Sequence, residues 1–244
     1  CVILAGAGTG KTYTIVEKVK HLVSNGVYPG NKIVCITFSN EAANNLSLRI
    51  EKTLSLSGIK KPGVIIRTFH GFSADLLRKY GDRISISKEF KILDPEQAMV
   101  LLHRNLKIQA GNCDKYISTI GTAKDLGVRL EDFQRYLENK LKQYPNDLEK
   151  NLESLNFEFQ TLHLKKDFSK KKPLAEKIKS LRKIIELKKF VSAWNAYEKL
   201  KQKSNYQDYS DLNQNALILL EKFPEIAKDF DYVLIDEFQD TNKL

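Results

Sequence analysis

The run Ala5-Gly6-Ala7-Gly8-Thr9-Gly10-Lys11-Thr12 constrains this chain more than any other, because it joins a short apolar segment, residues 1–4, to a helical pattern ending at Gly26. Glycines let the backbone turn so that successive N–H groups converge on one anion, and the following helix N-terminus adds partial positive charge. Strand, glycine-rich loop and helix in that order are the setting of a phosphate-binding loop. Lys11 then reaches the β and γ phosphates of a nucleotide such as ATP, and the Thr12 hydroxyl binds Mg2+. Ala5 takes the place of the usual first glycine. A plain glycine-rich turn is the alternative.

Such a loop needs a carboxylate on a neighbouring strand to hold the metal. Tyr232-Val233-Leu234-Ile235-Asp236-Glu237 supplies it, an apolar run delivering Asp236 to the sheet's C-terminal edge, with Glu237 beside it to polarise the attacking water. An Asp-Glu pair opening a surface loop is the bland reading. The glutamate favours hydrolysis, since a kinase must keep water from the γ phosphate whereas an ATPase must activate it.

Between these ends the pattern is α/β, then helical, then α/β again. Residues 32–38 form a second apolar, β-branched run, followed by a helix over 40–56 with Ser39 as its N-cap, a third strand over 64–67 and a helix over 70–80. Strand alternating with helix predicts a parallel sheet flanked by helices. After Gly81, Asp94, Pro95 and Gln97 give a helix-start signal, and helical segments without a comparable strand signal run to about residue 203. Leu174, Ile178, Leu181, Ile185, Phe190, Trp194 and Tyr197 recur at helical spacing and predict one long amphipathic helix with that stripe in a core. A helix over 211–223 and a strand over 231–235 resume the first pattern. The expected division is an α/β domain of residues 1–85 and 204–244 interrupted by an all-helical insertion, 86–203.

Net charge is +10, and residues 140–203 carry 17 Lys and Arg against 8 Asp and Glu, a net of +9. That segment is a candidate nucleic-acid surface, or else a solvated helix face. No apolar run approaches the ~20 residues that cross a bilayer, so no membrane partner is expected. Three cysteines far apart, Cys1, Cys35 and Cys113, fit neither a disulfide framework nor a zinc knuckle, which points to a reducing, intracellular compartment: the cytoplasm, beside the nucleoid in a prokaryote. No heptad pattern indicates a dedicated dimer, and the oligomeric state stays open.

Asp236-Glu237-Phe238-Gln239-Asp240-Thr241-Asn242 resembles motif II of the UvrD/Rep branch of superfamily 1 helicases. Thr37-Phe38-Ser39-Asn40-Glu41-Ala42-Ala43, with Arg49-Ile50, is similar to motif Ia, and Thr68-Phe69-His70-Gly71-Phe72 to motif Ib. Tyr209-Ser210-Asp211-Leu212 is similar to the segment before motif II. The resemblance implies a P-loop NTPase (RecA-like) fold, with the α/β part as subdomain 1A and the insertion as 1B. It implies an ATP-driven motor that travels on single-stranded DNA, usually 3' to 5', and opens duplex DNA in repair or recombination. It further implies Lys11 and Thr12 on phosphate and Mg2+, Asp236 on the metal, Glu237 in catalysis and Gln239 in coupling the γ phosphate to DNA. Phe38 and Asn40 would then face single-stranded DNA. An aromatic ring stacks on any base and grips without reading sequence, whereas a core phenylalanine at a strand end is the alternative. His70 would touch DNA backbone or only its own loop.

The departures matter too. Glu41 replaces the motif Ia lysine, and Tyr13 stands where the family commonly has an arginine near the nucleotide base. The adenine-recognition segment and the second motor subdomain, whose arginines complete the ATP site, are expected in the parent protein as its C-terminal motor partner and upstream segment. A fragment without them should be nearly inactive. A P-loop switch or kinase, and a nucleic-acid-binding module that never hydrolyses ATP, are the competing readings.

Overall fold

The computed structural model describes residues 2–3, 9–60, 62–144, 147–164 and 170–240. They divide into two compact units, one of residues 1–92 and 207–244, the other of residues 93–206.

The first unit contains α1 (Lys11–Ser24), β1 (Ile33–Thr37), α2 (Asn40–Leu56), β2 (Ile65–Thr68) and α3 (Phe69–Tyr80), with β3 (Lys91–Leu93) at its margin. The second contains α4 (Pro95–Leu106), α5 (Ala110–Asp125), α6 (Leu130–Leu141), α7 (Leu148–Leu164) and α8 (Lys171–Ser204). The chain then returns through β4 (Tyr206–Asp208), α9 (Tyr209–Lys222) and β5 (Tyr232–Ile235).

Three strands form a sheet in the order β2-β1-β5, both pairings parallel. All five residues of β1 are buried, as a central parallel strand covered on both faces requires, and its sequence is accordingly almost unbroken apolar. One face packs against α1 and α2 through Val19, Leu22, Ile33, Cys35, Leu46, Ile50 and Leu54. Each such side chain contributes about 1.5–3 kcal/mol by leaving water. A separate cluster joins α3 to α9 through Leu76, Leu77, Leu212 and Leu219, with Phe90 closing it. Burial pushes the Cys35 thiol up to about 12, so it stays protonated and inert. Gly30, which leads into β1, lies so close to the Pro62 carbonyl that an added Cβ would sit 1.7 Å from its oxygen. Only glycine fits there.

The helix starts follow the expected chemistry. Ser39 Oγ accepts from the Ala42 N–H at 3.1 Å, and Asp94 accepts from the Gln97 N–H at 2.8 Å. Three expectations need correction. Val2 and Ile3, the described part of the expected first strand, have no regular structure and are 80% and 62% exposed. An apolar run becomes a strand only where a neighbour completes its ladder, and these two residues pair with none of the described strands. The expected all-helical segment, 86–203, includes the strand β3, which pairs with β4; three residues are too short to show a two-residue period. The unit boundaries also fall later, at 92/93 and 206/207, because Ile86 and Ile92 pack with the α3–α9 cluster and α8 runs on to Ser204.

In the second unit Leu102, Ile120, Leu181, Phe190, Trp194 and Tyr197 form the core. Beside the rings lies a buried charge cluster. Lys124 and Lys201, with side chains 5% and 2% exposed, reach the two oxygens of Glu198 at 2.8 and 2.9 Å, and Trp194 Nε1 donates to Glu198 Oε1 at 3.0 Å. Burial alone would raise the Glu198 pKa, but Lys201 and Lys124 outweigh it and hold the carboxylate below the ordinary glutamate range. The stabilisation is therefore complete above the ordinary glutamate value and is lost as pH falls through the depressed one. Glu198→Gln keeps the shape and the Trp194 bond while removing one carboxylate's charge from two buried ammonium groups. It is expected to cost about 1–3 kcal/mol near neutral pH. Urea unfolding followed by the single Trp should show this, with variant and parent converging in acid. An unchanged midpoint at neutral pH would refute it.

Candidate functional site

Parallel pairing brings the C-terminal ends of β2, β1 and β5 to one edge, and the chain turns there into α3, α2 and the Asp236 loop. After β1, Thr37 Oγ1 donates to the Ser39 carbonyl at 3.1 Å, fixing the turn between strand and helix. Phe38, at its apex, is 64% exposed, so it is not a core side chain. Asn40, the first residue of α2, is exposed. Glu41 also lies in that first turn, where a carboxylate favours the positive end of the helix dipole.

After β2, Thr68 caps α3 by accepting from the Gly71 N–H at 3.1 Å. His70 is exposed, and its ring meets Tyr209 edge-on with centroids 5.3 Å apart. Tyr209 is itself 43% exposed and opens α9. Asp208 and Asp211 hold that opening by a reciprocal cap, each side chain accepting from the other's N–H, at 2.8 and 2.9 Å. Neither the cap nor the His70–Tyr209 contact was anticipated from sequence. An Asp-x-x-Asp spacing carries the first signal, and nothing local carries the second.

After β5 the Asp236 N–H donates to the Ile36 carbonyl at 2.9 Å, adding one rung beyond the strand. Asp236 Oδ1 then accepts from the Glu237 N–H at 3.0 Å. Glu237 takes a left-handed backbone, φ 51°, which sharply redirects its side chain from that of Asp236. Its Oε2 accepts from Lys11 Nζ at 2.8 Å and also from Gln239 Nε2. These bonds, Lys11's first, hold the Glu237 carboxyl below the ordinary glutamate range.

Lys11 is the first residue of α1, and Gly10 caps the helix in the left-handed region at φ 95°, a conformation glycine adopts freely. Thr12 and Asp236 are half-buried, and no hydrogen bond joins them among the described residues. Tyr13 is 65% exposed. Thr9 is exposed, whereas Ala5, Gly6, Ala7 and Gly8 lie outside the described residues. The structure thus brings Lys11, Glu237 and Gln239 into one hydrogen-bonded group and sets Phe38, Asn40 and His70 at the ends of adjacent strands. A hard oxygen pair from Thr12 and Asp236 suits Mg2+ chemically. Among the described residues, no helix is long and apolar enough to cross a membrane.

A family model described as the UvrD/REP helicase N-terminal domain matches residues 1–244. The chain is 29% identical over 246 residues to the ATP-dependent DNA helicase Rep of Buchnera aphidicola, an alignment covering 99% of this chain and 32% of that protein. It is 29% identical over 244 residues to the ATP-dependent DNA helicase srs2 of Schizosaccharomyces pombe, covering 99% of this chain and 25% of the other. With the ATP-dependent DNA helicase PcrA of Staphylococcus aureus the identity is 25% over 248 residues, covering 99% and 28%. The chain spans a third or less of the length of these relatives. With a match that runs its whole length, and with the P-loop lysine and the carboxylates after β5 at one sheet edge, the chain belongs to the UvrD/REP helicase N-terminal domain family.

Proposed function

We propose that this chain is the ATP-binding part of an ATP-dependent DNA helicase, its first unit acting as subdomain 1A and its second as 1B. The observation that carries this is the meeting of Lys11, Glu237 and Gln239 at the end of β5. Lys11 binds the β and γ phosphates, with Gly10, Thr9 and the preceding loop as backbone donors and Tyr13 beside the nucleotide. Thr12 and Asp236 hold Mg2+, which neutralises phosphate charge when bound. Glu237 accepts the proton of the attacking water, and Gln239 carries the state of the γ phosphate toward DNA.

The resting geometry supports a stepwise role for Glu237. While Lys11 bonds it, its carboxylate is a weak base, because that bond stabilises the charged form. A phosphate that draws Lys11 away would raise its basicity where a proton must be taken up. Ionised carboxylate is already the dominant form at neutral pH, so the residue is ready without a prior proton loss.

Phe38, Asn40 and His70 are proposed to face single-stranded DNA, Phe38 by stacking on bases. The relatives' names support DNA as substrate, and the proposal adds that single strand is gripped and duplex opened. A 3' to 5' direction, a role in repair or recombination, a cytoplasmic setting and a C-terminal motor domain as intramolecular partner belong to the same proposal.

The test is ATP turnover by the full-length parent with and without single-stranded DNA. DNA should stimulate hydrolysis, and Lys11→Ala or Glu237→Gln should lower it by about a hundredfold or more. Hydrolysis indifferent to DNA would overturn the motor reading in favour of a binding module. Separately, Phe38→Ala should weaken single-strand affinity by roughly 1–3 kcal/mol while leaving nucleotide affinity unchanged. Fluorescence anisotropy would check this, and an unaltered affinity would remove Phe38 from the DNA path.

A further inference from the structure

We propose that a groove along the middle of α8 is a docking site for an amphipathic helix of a partner protein, one with an acidic and a basic flank. The proposal lies within the second unit and does not rest on the nucleotide or DNA readings.

The groove has a volume of about 780 Å3. Its α8 side runs from Ile185 through Lys188, Lys189, Ser192 and Ala193 to Ala196. These positions stand at i, i+3, i+4, i+7, i+8 and i+11, so they share one helix face over about 16 Å, or three turns. Three helix ends border that stretch: α4 with Leu106, α6 with Leu141 and α7 with its first residue, Leu148. The floor is the core itself, because Leu148, Ile185 and Ala193 are buried members of the cluster around Trp194. Ile108 and Tyr144, which follow the ends of α4 and α6, pack against the same cluster and continue the wall.

Shape and chemistry together select the occupant. A trough three turns long suits a helix, whose apolar side chains at i, i+4 and i+7 reach the floor. Ser192, Ala193 and Ala196 are small, which lets a second backbone come to the roughly 8–10 Å of packed helices. The rim carries both signs of charge. Lys188 and Lys189 are exposed on the α8 side, Asp147 and Glu149 on the α7 side. Asp147 is held in place as the cap of α7, its Oδ1 accepting from the Glu149 and Lys150 N–H groups at 3.0 and 3.5 Å. A visiting helix with one acidic and one basic flank answers both rims at once. Nucleic acid is disfavoured, since the apolar floor offers phosphates no partner and the two carboxylates repel them.

Fluorescence anisotropy of the full chain with synthetic fluorescein-labelled peptides would test this. The matched peptide has about 14 residues, close to four turns, with leucines at i, i+4, i+7 and i+11, glutamates on one flank and lysines on the other. A scrambled peptide keeps its composition, and a third peptide carries lysines on both flanks. The unsubstituted chain should bind the matched peptide at least about tenfold more tightly than the scrambled one, and Ser192→Phe, which fills the groove from an exposed position, should remove that advantage. Lys188→Glu with Lys189→Glu leaves both rims acidic. It should shift the preference toward the all-lysine flanks by about fivefold, whereas Lys172→Glu with Lys177→Glu, exposed on α8 off the groove, should not. Circular dichroism and urea unfolding followed by Trp194 would confirm that each variant folds. Equal affinity for matched and scrambled peptides would overturn the proposal. So would a matched peptide indifferent to both groove variants, which binds elsewhere, and so would self-association of the chain abolished by Ser192→Phe, which makes a second copy the occupant. Anilinonaphthalene sulfonate displaced by Ser192→Phe, with no peptide bound, would overturn it in favour of a small apolar ligand.

Discussion

Parallel pairing of β1 with both β2 and β5 is the constraint on which the first unit depends. In register, Thr37 lies opposite Thr68 and Ile36 opposite Ile235, so all three strands run out at the same level. An antiparallel β5 would send Asp236 to the far edge, away from Phe38 and His70. The extra rung from the Asp236 N–H to the Ile36 carbonyl anchors the acidic loop to the buried central strand, itself immobilised by two neighbours and covered faces. Positions needed for chemistry are thereby set by backbone bonds, leaving the exposed side chains free to meet ligands.

The same topology explains how a second unit can be inserted. β1 pairs with a strand close in sequence, β2, and one distant, β5, and everything between α3 and α9 is a connection as far as the sheet is concerned. The second unit meets the cost of that long connection by having its own core around Trp194, Phe190 and Tyr197. Its charged residues are of two kinds. Lys124 and Lys201 are buried against Glu198 and serve packing, whereas Lys179, Arg182 and Lys183 remain exposed.

Much of this was legible in the sequence wherever the signal was local. The Ser39, Pro95 and Asp94 positions mark helix starts because caps act within one turn. The unbroken apolar run of β1 marks a doubly covered strand. Legibility failed where the determinant was a partner distant in sequence. Nothing in Val2 or Ile3 reveals whether a neighbour will complete their ladder, and nothing in Tyr209 reveals that it will meet His70. Lysines defeat simple counting for the same reason. Net charge located the basic segment, but only packing shows which of its cations are turned inward.

In the proposed nucleotide site, the decisive feature is that Lys11 and Glu237 occupy each other. Both side chains remain partly exposed, and an ion pair in that setting is weak because water and salt screen it. A nucleotide's terminal phosphates would offer Lys11 more than one negative charge, so in the proposed reaction phosphate takes Lys11 from Glu237. Glu237 would then lose the bond that most depresses its basicity, while its left-handed backbone keeps the carboxylate turned from Asp236. Gln239, which donates to the same oxygen, would then be the remaining donor to that carboxylate and would move with it. On the proposed reading, one exchange of partners at Lys11 would convert phosphate binding into a change at Glu237 and, through it, at Gln239, which is the minimum a motor needs to make its grip depend on its nucleotide.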